Sequence, residues 1–270
     1  MSPEYFSQNG EDFLLSQYFK GANGFFVEIG CIDGRRFSNT YFFERRGWKG
    51  LCVEAHQDYI NLLKVNRPNS TVVHCAVGEA DEDQAVFYAN ARGTLSSLDP
   101  TTEERWRRDY AEYFSGFQQQ SVPKRTLTTI FTEAGVTDID ILSLDIEGYE
   151  VEALSGLDFK KFSPTVLVVE SDSDEHRKKI AALVTPHGYR LALEFCGNLY
   201  YSRRPDFKEA VSGKFFPDVT LTQTQHPLDK TGDVRRTVSI DTRPQPARAE
   251  TFPARIKAYC RNLVRPRLQP

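Results

Sequence analysis

The chain has 270 residues, 40% hydrophobic and 12% aromatic, so a sizeable core can form and collagen-like, coiled-coil and wholly disordered classes are excluded. Its 34 Lys and Arg against 37 Asp and Glu give a net charge of −3, but residues 1–227 hold 24 basic and 33 acidic side chains while residues 228–270 hold 10 and 4. This reads as one mildly acidic domain, 1–227, followed by a basic, proline-containing tail, 228–270.

Strand and helix signals then alternate. Residues 24–30 are a buried strand running into a glycine turn, and Ser38 and Asn39 cap a helix reaching residue 46. Residues 50–54 are a second strand, 58–66 a helix, 71–76 a third strand and 84–89 a short extra one. The charged, aromatic stretch 101–117 predicts a helix, and so does 127–135 with its glycine stop. A strand at 140–145, a helix start at 150–155, a strand at 165–170 and a helix at 173–187 follow. Segments 189–195 and 199–203 form an antiparallel hairpin around Cys196-Gly197-Asn198. The alternation predicts an α/β fold: a Rossmann-like, doubly wound, mostly parallel sheet with a C-terminal antiparallel hairpin. No apolar run approaches the roughly 18 residues of a membrane span, no signal-peptide pattern opens the chain, and five cysteines lack any CxxC. A reduced, cytoplasmic protein without a zinc site is expected.

Open α/β sheets bind ligands at the carboxyl ends of their strands, so the residues after each strand carry the functional signal. The first turn holds Glu28, Gly30, Asp33 and Gly34. Two acids there argue against a pyrophosphate and for a cationic or hydroxyl-bearing ligand, and the dehydrogenase and P-loop glycine patterns are missing. Glu54 ends the second strand, where an acid can take both hydroxyls of a ribose. Ala76 and Val77 could flank an adenine ring. The fourth strand runs into Asp145, Glu147 and Glu150, of which Glu150 suits the start of the next helix through its dipole. Glu170 after the fifth strand could join Asp145 in an oxygen-rich divalent-ion site, but capping of the next helix is the simpler reading, and no metal is assigned. Residues 93–98, with Ser97, read as a polar loop suited to a lid.

Several of these segments occur together in one order: Ser7-Gln8-Asn9-Gly10-Glu11-Asp12, then Gly24-Phe25-Phe26-Val27-Glu28-Ile29-Gly30, Asp33-Gly34, Ser38-Asn39-Thr40, Glu44, Gly47-Trp48-Lys49-Gly50-Leu51-Cys52-Val53-Glu54 and Leu144-Asp145-Ile146-Glu147-Gly148-Tyr149-Glu150. Over about residues 4–203 the chain resembles the FkbM-type methyltransferases. The resemblance implies a class I fold using S-adenosylmethionine (SAM) to O-methylate a hydroxyl of a sugar, glycoconjugate or natural product. It places Glu28, Gly30, Asp33 and Gly34 in the SAM loop and Glu54 on the ribose. It puts Asp145 and Glu147 at the reaction end, and folds Ser7, Gln8, Glu11 and Asp12 back over cofactor or substrate. Two positions depart from it. Ala55-His56 stands where such proteins often have Pro, and Leu144 where they often have Lys, so a catalytic Lys–Asp pair cannot be carried over.

Methyl transfer is an in-line displacement that mainly requires alignment of the acceptor oxygen and removal of its proton. Asp145, His56 and Glu170 are the candidate bases, Asp145 first and His56 after it. A nicotinamide-dependent oxidoreductase and a non-catalytic binding module on the same fold are the alternatives. The acidic body disfavours a nucleic-acid substrate. In the tail, Ile256, Tyr259, Cys260, Leu263 and Val264 recur at helical spacing beside Arg255, Lys257, Arg261 and Arg265, a pattern suited to peripheral contact with an anionic membrane or to subunit packing. Oligomeric state and the identity of the acceptor are left open.

Overall fold

The structure, a computed structural model, describes residues 3–244 apart from 22, 112–113 and 224–232. The helical pattern at 255–265 lies outside the described residues. In chain order the elements are α1 (Glu11–Tyr18), β1 (Phe25–Ile29), α2 (Tyr41–Glu44), β2 (Lys49–Glu54), α3 (Ile60–Asn66), β3 (Ser70–His74), β4 (Ala76–Val77), β5 (Glu82–Asn90), α4 (Thr102–Asp109) and β6 (Phe117–Arg125). They continue with α5 (Leu127–Glu133), β7 (Ile141–Leu144), α6 (Glu150–Ser155), β8 (Val166–Glu170), α7 (Asp174–Val184), β9 (Arg190–Phe195), β10 (Asn198–Ser202), α8 (Pro205–Val211), β11 (Phe215–Gln223) and β12 (Val234–Asp241).

Seven strands make the main sheet in the order β3-β2-β1-β7-β8-β10-β9. The first five are parallel, and β10 runs antiparallel between β8 and β9. Period-2 alternation sends the strand residues to two separate cores. Val27, Ile29, Leu142, Leu144 and Val169 face α5, α6 and α7 through Ile130, Leu154 and Ile180. Phe26, Cys52, Ile141, Val168 and Tyr200 face the other way, toward Leu14 and Leu15 of α1, Phe42 and Phe43 of α2, and Phe207 of α8. This is the expected doubly wound sheet, and 190–202 is the expected hairpin.

Three regions differ from the sequence reading. The helix predicted over 101–117 stops at Asp109, and residues 117–125 instead form β6, which joins β4 and β5 in a separate three-stranded sheet. The N-terminal motif contains a helix, α1, whose Glu11 and Asp12 are buried in its first turn. The boundary at 228 is also corrected. Residues 234–241 pair with β11, and Ile240 is 1% exposed in the core beside Gly10, where a Cβ would collide with it. The folded unit therefore extends at least to the end of β12.

Candidate active site

The carboxyl ends of β1, β2, β7 and β8, together with β4 and the loop 93–98, enclose a cavity of about 1630 Å³. Five of the six described non-glycine residues with positive φ line it: Ile32, Phe37, Leu95, Glu147 and Cys196. Backbone strain thus collects at one place, as it does at ligand sites.

At the end of β1 and in the turn after it, Glu28 lines the cavity and Asp33 does not, and both are engaged by the protein's own groups. The Glu28 carboxylate accepts hydrogen bonds from Ser38 Oγ (2.8 Å), the Asn39 N–H (2.7 Å) and Thr40 Oγ1 (2.8 Å), and pairs with Arg67 (3.0 Å). The fully buried Arg67 also binds Glu44 at 2.6 Å and donates to the Gly34 carbonyl. Ser38 and Asn39, expected as helix caps, are thereby turned toward Glu28, although Ser38 Oγ still accepts from the Tyr41 N–H. Asp33 accepts from the Arg35 and Arg36 N–H groups, and Gly34, at φ +82°, leaves room for the side chains of Leu63 and Arg67. Neither Asp33 nor Gly34 is part of the cavity wall; both shape the loop from behind. Gly30 does line the cavity, at φ +85°, and a Cβ there would strike the Asp145 carbonyl oxygen.

Glu54 at the tip of β2 lines the cavity. Its oxygens accept from the backbone N–H of Ile32 (2.6 Å) and of His56 (2.7 Å), and burial pushes its pKa up to about 7. Ala76, Val77 and Phe87 supply an apolar wall beside it. His56 is corrected as a candidate base. Its ring is outside the cavity wall, 1% exposed, with Nδ1 facing the Asp58 N–H and Nε2 at 3.1 Å from the Asn90 carbonyl. Nδ1 can only accept there, so Nε2 carries the proton and donates, and burial lowers its pKa. Ser97 is likewise moved: its backbone pairs with Tyr88, and Thr94, Leu95 and Ser96 line the cavity instead.

At the other end lie Asp145, Glu147 and Glu170, with Glu150 behind them. Ligand oxygens of Asp145, Glu150 and Glu170 lie within 4.8 Å of one another, close enough to hold a cation. Burial raises Asp145 to about 6 and Glu150 to about 7. Burial first, then the charge on Asp145, raises Glu147 to about 8. Glu170 is pushed well up by burial and by its acidic neighbours, so it keeps its proton and donates to Asp145. Glu147 accepts from the Leu95 N–H at 3.0 Å, which ties the 93–98 loop to this end. Glu150 accepts from the Ile146 and Gly148 N–H groups, in keeping with its expected role at the start of α6.

Of the N-terminal motif, only Gln8 lines the cavity. Asp12 accepts from Ser7 Oγ and the Phe6 N–H, both at 2.6 Å, and Glu11 from the Asn9 N–H at 2.7 Å. Both acids are corrected from substrate contacts to supports of the turn that carries Gln8. Asn198 and Gln223 also line the cavity and were missed; Asn198 lay in what read as a simple turn and Gln223 beyond the last predicted strand.

The family described as "Methyltransferase FkbM domain" matches residues 24–200. Among curated proteins none matches the sequence significantly. Solved structures similar to the chain include a precorrin-6y C5,15-methyltransferase from Geobacter metallireducens, at 13% identity over 71% of this chain and 84% of that one, TM-score 0.39. A TehB-like SAM-dependent methyltransferase from Corynebacterium glutamicum has 13% identity over 73% and 88%, TM-score 0.39. A ribosomal protein L11 methylase from Lactobacillus delbrueckii subsp. bulgaricus has 8% identity over 72% and 77%, TM-score 0.41.

Proposed function

The chain belongs to the FkbM methyltransferase family, a SAM-dependent one, and on that premise we propose that it transfers a methyl group to a hydroxyl of a sugar, glycoconjugate or small natural product. One arrangement supports this reading: a single cavity with Glu54 at the β2 tip and the Asp145–Glu170 pair at the β7 and β8 tips. The donor set fits SAM. Glu54 faces the cavity at the β2 tip, and a carboxylate there can accept from ribose hydroxyls. Ala76, Val77 and Phe87 offer an apolar wall for a base, and the acid group offers negative charge to a cationic centre. When bound, SAM supplies a methyl carbon activated by its positively charged sulfur.

The remaining work falls to the protein's own side chains. Asp145, titrating at about 6, is largely ionised at neutral pH and can accept the proton of an acceptor hydroxyl. Glu170, which holds its own proton, fixes the Asp145 oxygen by donating to it. The loop 93–98, tied to Glu147, shields this end from water. The net negative body weighs against a nucleic-acid acceptor, since phosphate contacts call for a basic face.

Hydride transfer is set aside by the family. A non-catalytic module on the same fold is separated by experiment: SAM is incubated with a panel of methyl hexopyranosides and products are read by mass spectrometry. Wild type should add one methylene unit, and Asp145→Asn should lose about 10²–10⁴-fold of the rate, the range of a general base. An Asp145→Asn variant as fast as wild type would remove Asp145 from the reaction. No methylated saccharide from wild type would sink the acceptor class.

A further inference from the structure

Gln223 closes β11 and is 7% exposed, yet among the described residues its Nε2 has no hydrogen-bond partner, although the residue lines the cavity. A buried amide donor without an acceptor is costly, by about 1–3 kcal/mol, which makes a ligand oxygen the natural partner. Two further amides share this neighbourhood. Tyr5 bridges Leu221 of β11 in parallel and accepts from the Thr222 N–H at 2.7 Å. Gln8 lines the same cavity, and Arg236, opposite Leu221 on β12, donates to its backbone carbonyl at 2.6 Å. Asn198 opens β10, in register with Glu170, and its Nδ2 donates to Glu11, the carboxylate that also holds the Asn9 N–H. With Nδ2 directed to Glu11, its side-chain carbonyl is left to accept.

We infer that Gln223, Asn198 and Gln8 form the acceptor-reading subsite of this enzyme, specific for a neutral, polyhydroxylated ring of the saccharide class. Amides donate and accept at once, as do hydroxyls, and none of the three adds charge. The sheet order places the subsite. Glu54 on β2 is four strands from Asn198 on β10, roughly 19 Å at about 4.8 Å per strand, with Asp145 and Glu170 on the strands between. A cofactor anchored at Glu54 ends near Asp145, and the acceptor follows beyond it, against the amides. Gln8 and Gln223 both lie outside the matched residues 24–200.

The inference rests on the proposed transfer to a saccharide, and the test separates the two. Wild type, Gln223→Leu and Asn198→Ala are assayed with tritiated SAM and the methyl hexopyranoside that wild type labels best, alongside its monodeoxy analogues. SAM affinity by calorimetry should stay within twofold in both variants. KM for the saccharide should rise about five- to thirtyfold, as expected for a lost hydrogen bond that leaves a buried partner, while kcat falls less. At least one deoxy analogue that wild type rejects should be rejected no more by Gln223→Leu, because the donor that detected the missing hydroxyl is gone. Unchanged KM and unchanged discrimination in both folded variants would overturn the subsite while leaving the transfer reading intact. A wild type that labels none of the saccharides would overturn the transfer reading and the subsite with it.

Discussion

A buried arginine fastens the turn after β1 from behind. Arg67 is 0% exposed and binds both Glu28 and Glu44, while its guanidinium also holds Gly34, Ser38 and Thr40. Three buried charges are thus joined in one network behind the cavity, and the glycine turn is fastened from its far side. Removing only the arginine would leave two carboxylates buried and unpaired. Arg67→Met should therefore destabilise the fold by about 3–5 kcal/mol, seen as a lower guanidinium midpoint with an unchanged slope. Adding Glu28→Gln and Glu44→Gln should recover part of that loss, since the cost lies in uncompensated charge. A midpoint equal to wild type in Arg67→Met would show that the network is not what holds the turn. Nothing in the order of residues 28–44 discloses that Glu28 pairs with Arg67, because the partner is 39 residues away.

At the scale of elements, the central strands β1, β2, β7 and β8 were readable because each is a mostly buried apolar run closed by a glycine or an acid. Elements with other signatures were not. The segment Gln118-Gln119-Gln120-Ser121-Val122-Pro123 shows no alternation, and only its pairing with β5, across a long connection, makes it a strand. Helix α1 opens with two buried carboxylates, which a sequence reading takes for surface or ligand groups. In β11 and β12 the alternation Val219/Leu221 and Val238/Ile240 is plain, but β11 lies past the last predicted strand and β12 in the stretch whose charge suggested a tail. The strand-tip acids at Glu54, Asp145 and Glu147 were legible, since β-strand ends are where such a sheet binds; the burial that holds their protons was not. That burial predicts a pH dependence. Asp145, Glu54, Glu150 and Glu147 have folded-state values of about 6, 7, 7 and 8, all above the ordinary 3.8–4.5, so the folded state holds protons that the unfolded chain has released. Stability from these groups is full below about pH 4 and is lost as pH rises toward 8. His56 and His176, kept neutral by burial, act in the opposite sense, but only below their ordinary 6.5. Between pH 6.5 and 8 the Tm of the ligand-free protein should fall, and Glu147→Gln should flatten that fall. A scanning-calorimetry profile that is level or rising in wild type would contradict the protonated acid cluster.

For the whole molecule, the decisive correction is where the catalytic unit ends. No described helix is long and apolar enough to cross a membrane. Moving the boundary from 228 past β12 leaves residues 245–270 with 6 basic and 1 acidic side chain, so the charge division sharpens rather than disappears. The ladder β11–β12 is joined to the N-terminus by the Tyr5–Leu221 bridge and by Arg236 on Gln8, and Ile240, at 1% exposure, fills the space over Gly10. Two truncations test this division. Ending the chain at residue 244 keeps every one of these contacts, and its Tm and SAM affinity should match those of the full chain. Ending it at 223 removes β12 and exposes the apolar surface that Ile240 and Val238 cover, at a cost of about 1.5–3 kcal/mol for each side chain fully buried. The shorter chain should melt at least several degrees lower and, having lost the Arg236 tie on Gln8, should bind saccharide acceptor more weakly than it binds SAM relative to wild type. Equal Tm values for the 1–223 and 1–244 chains would take β12 out of the core. A loss of SAM binding in the 1–244 chain would put part of the basic segment inside the catalytic unit, and the acidic body would then not be a complete enzyme.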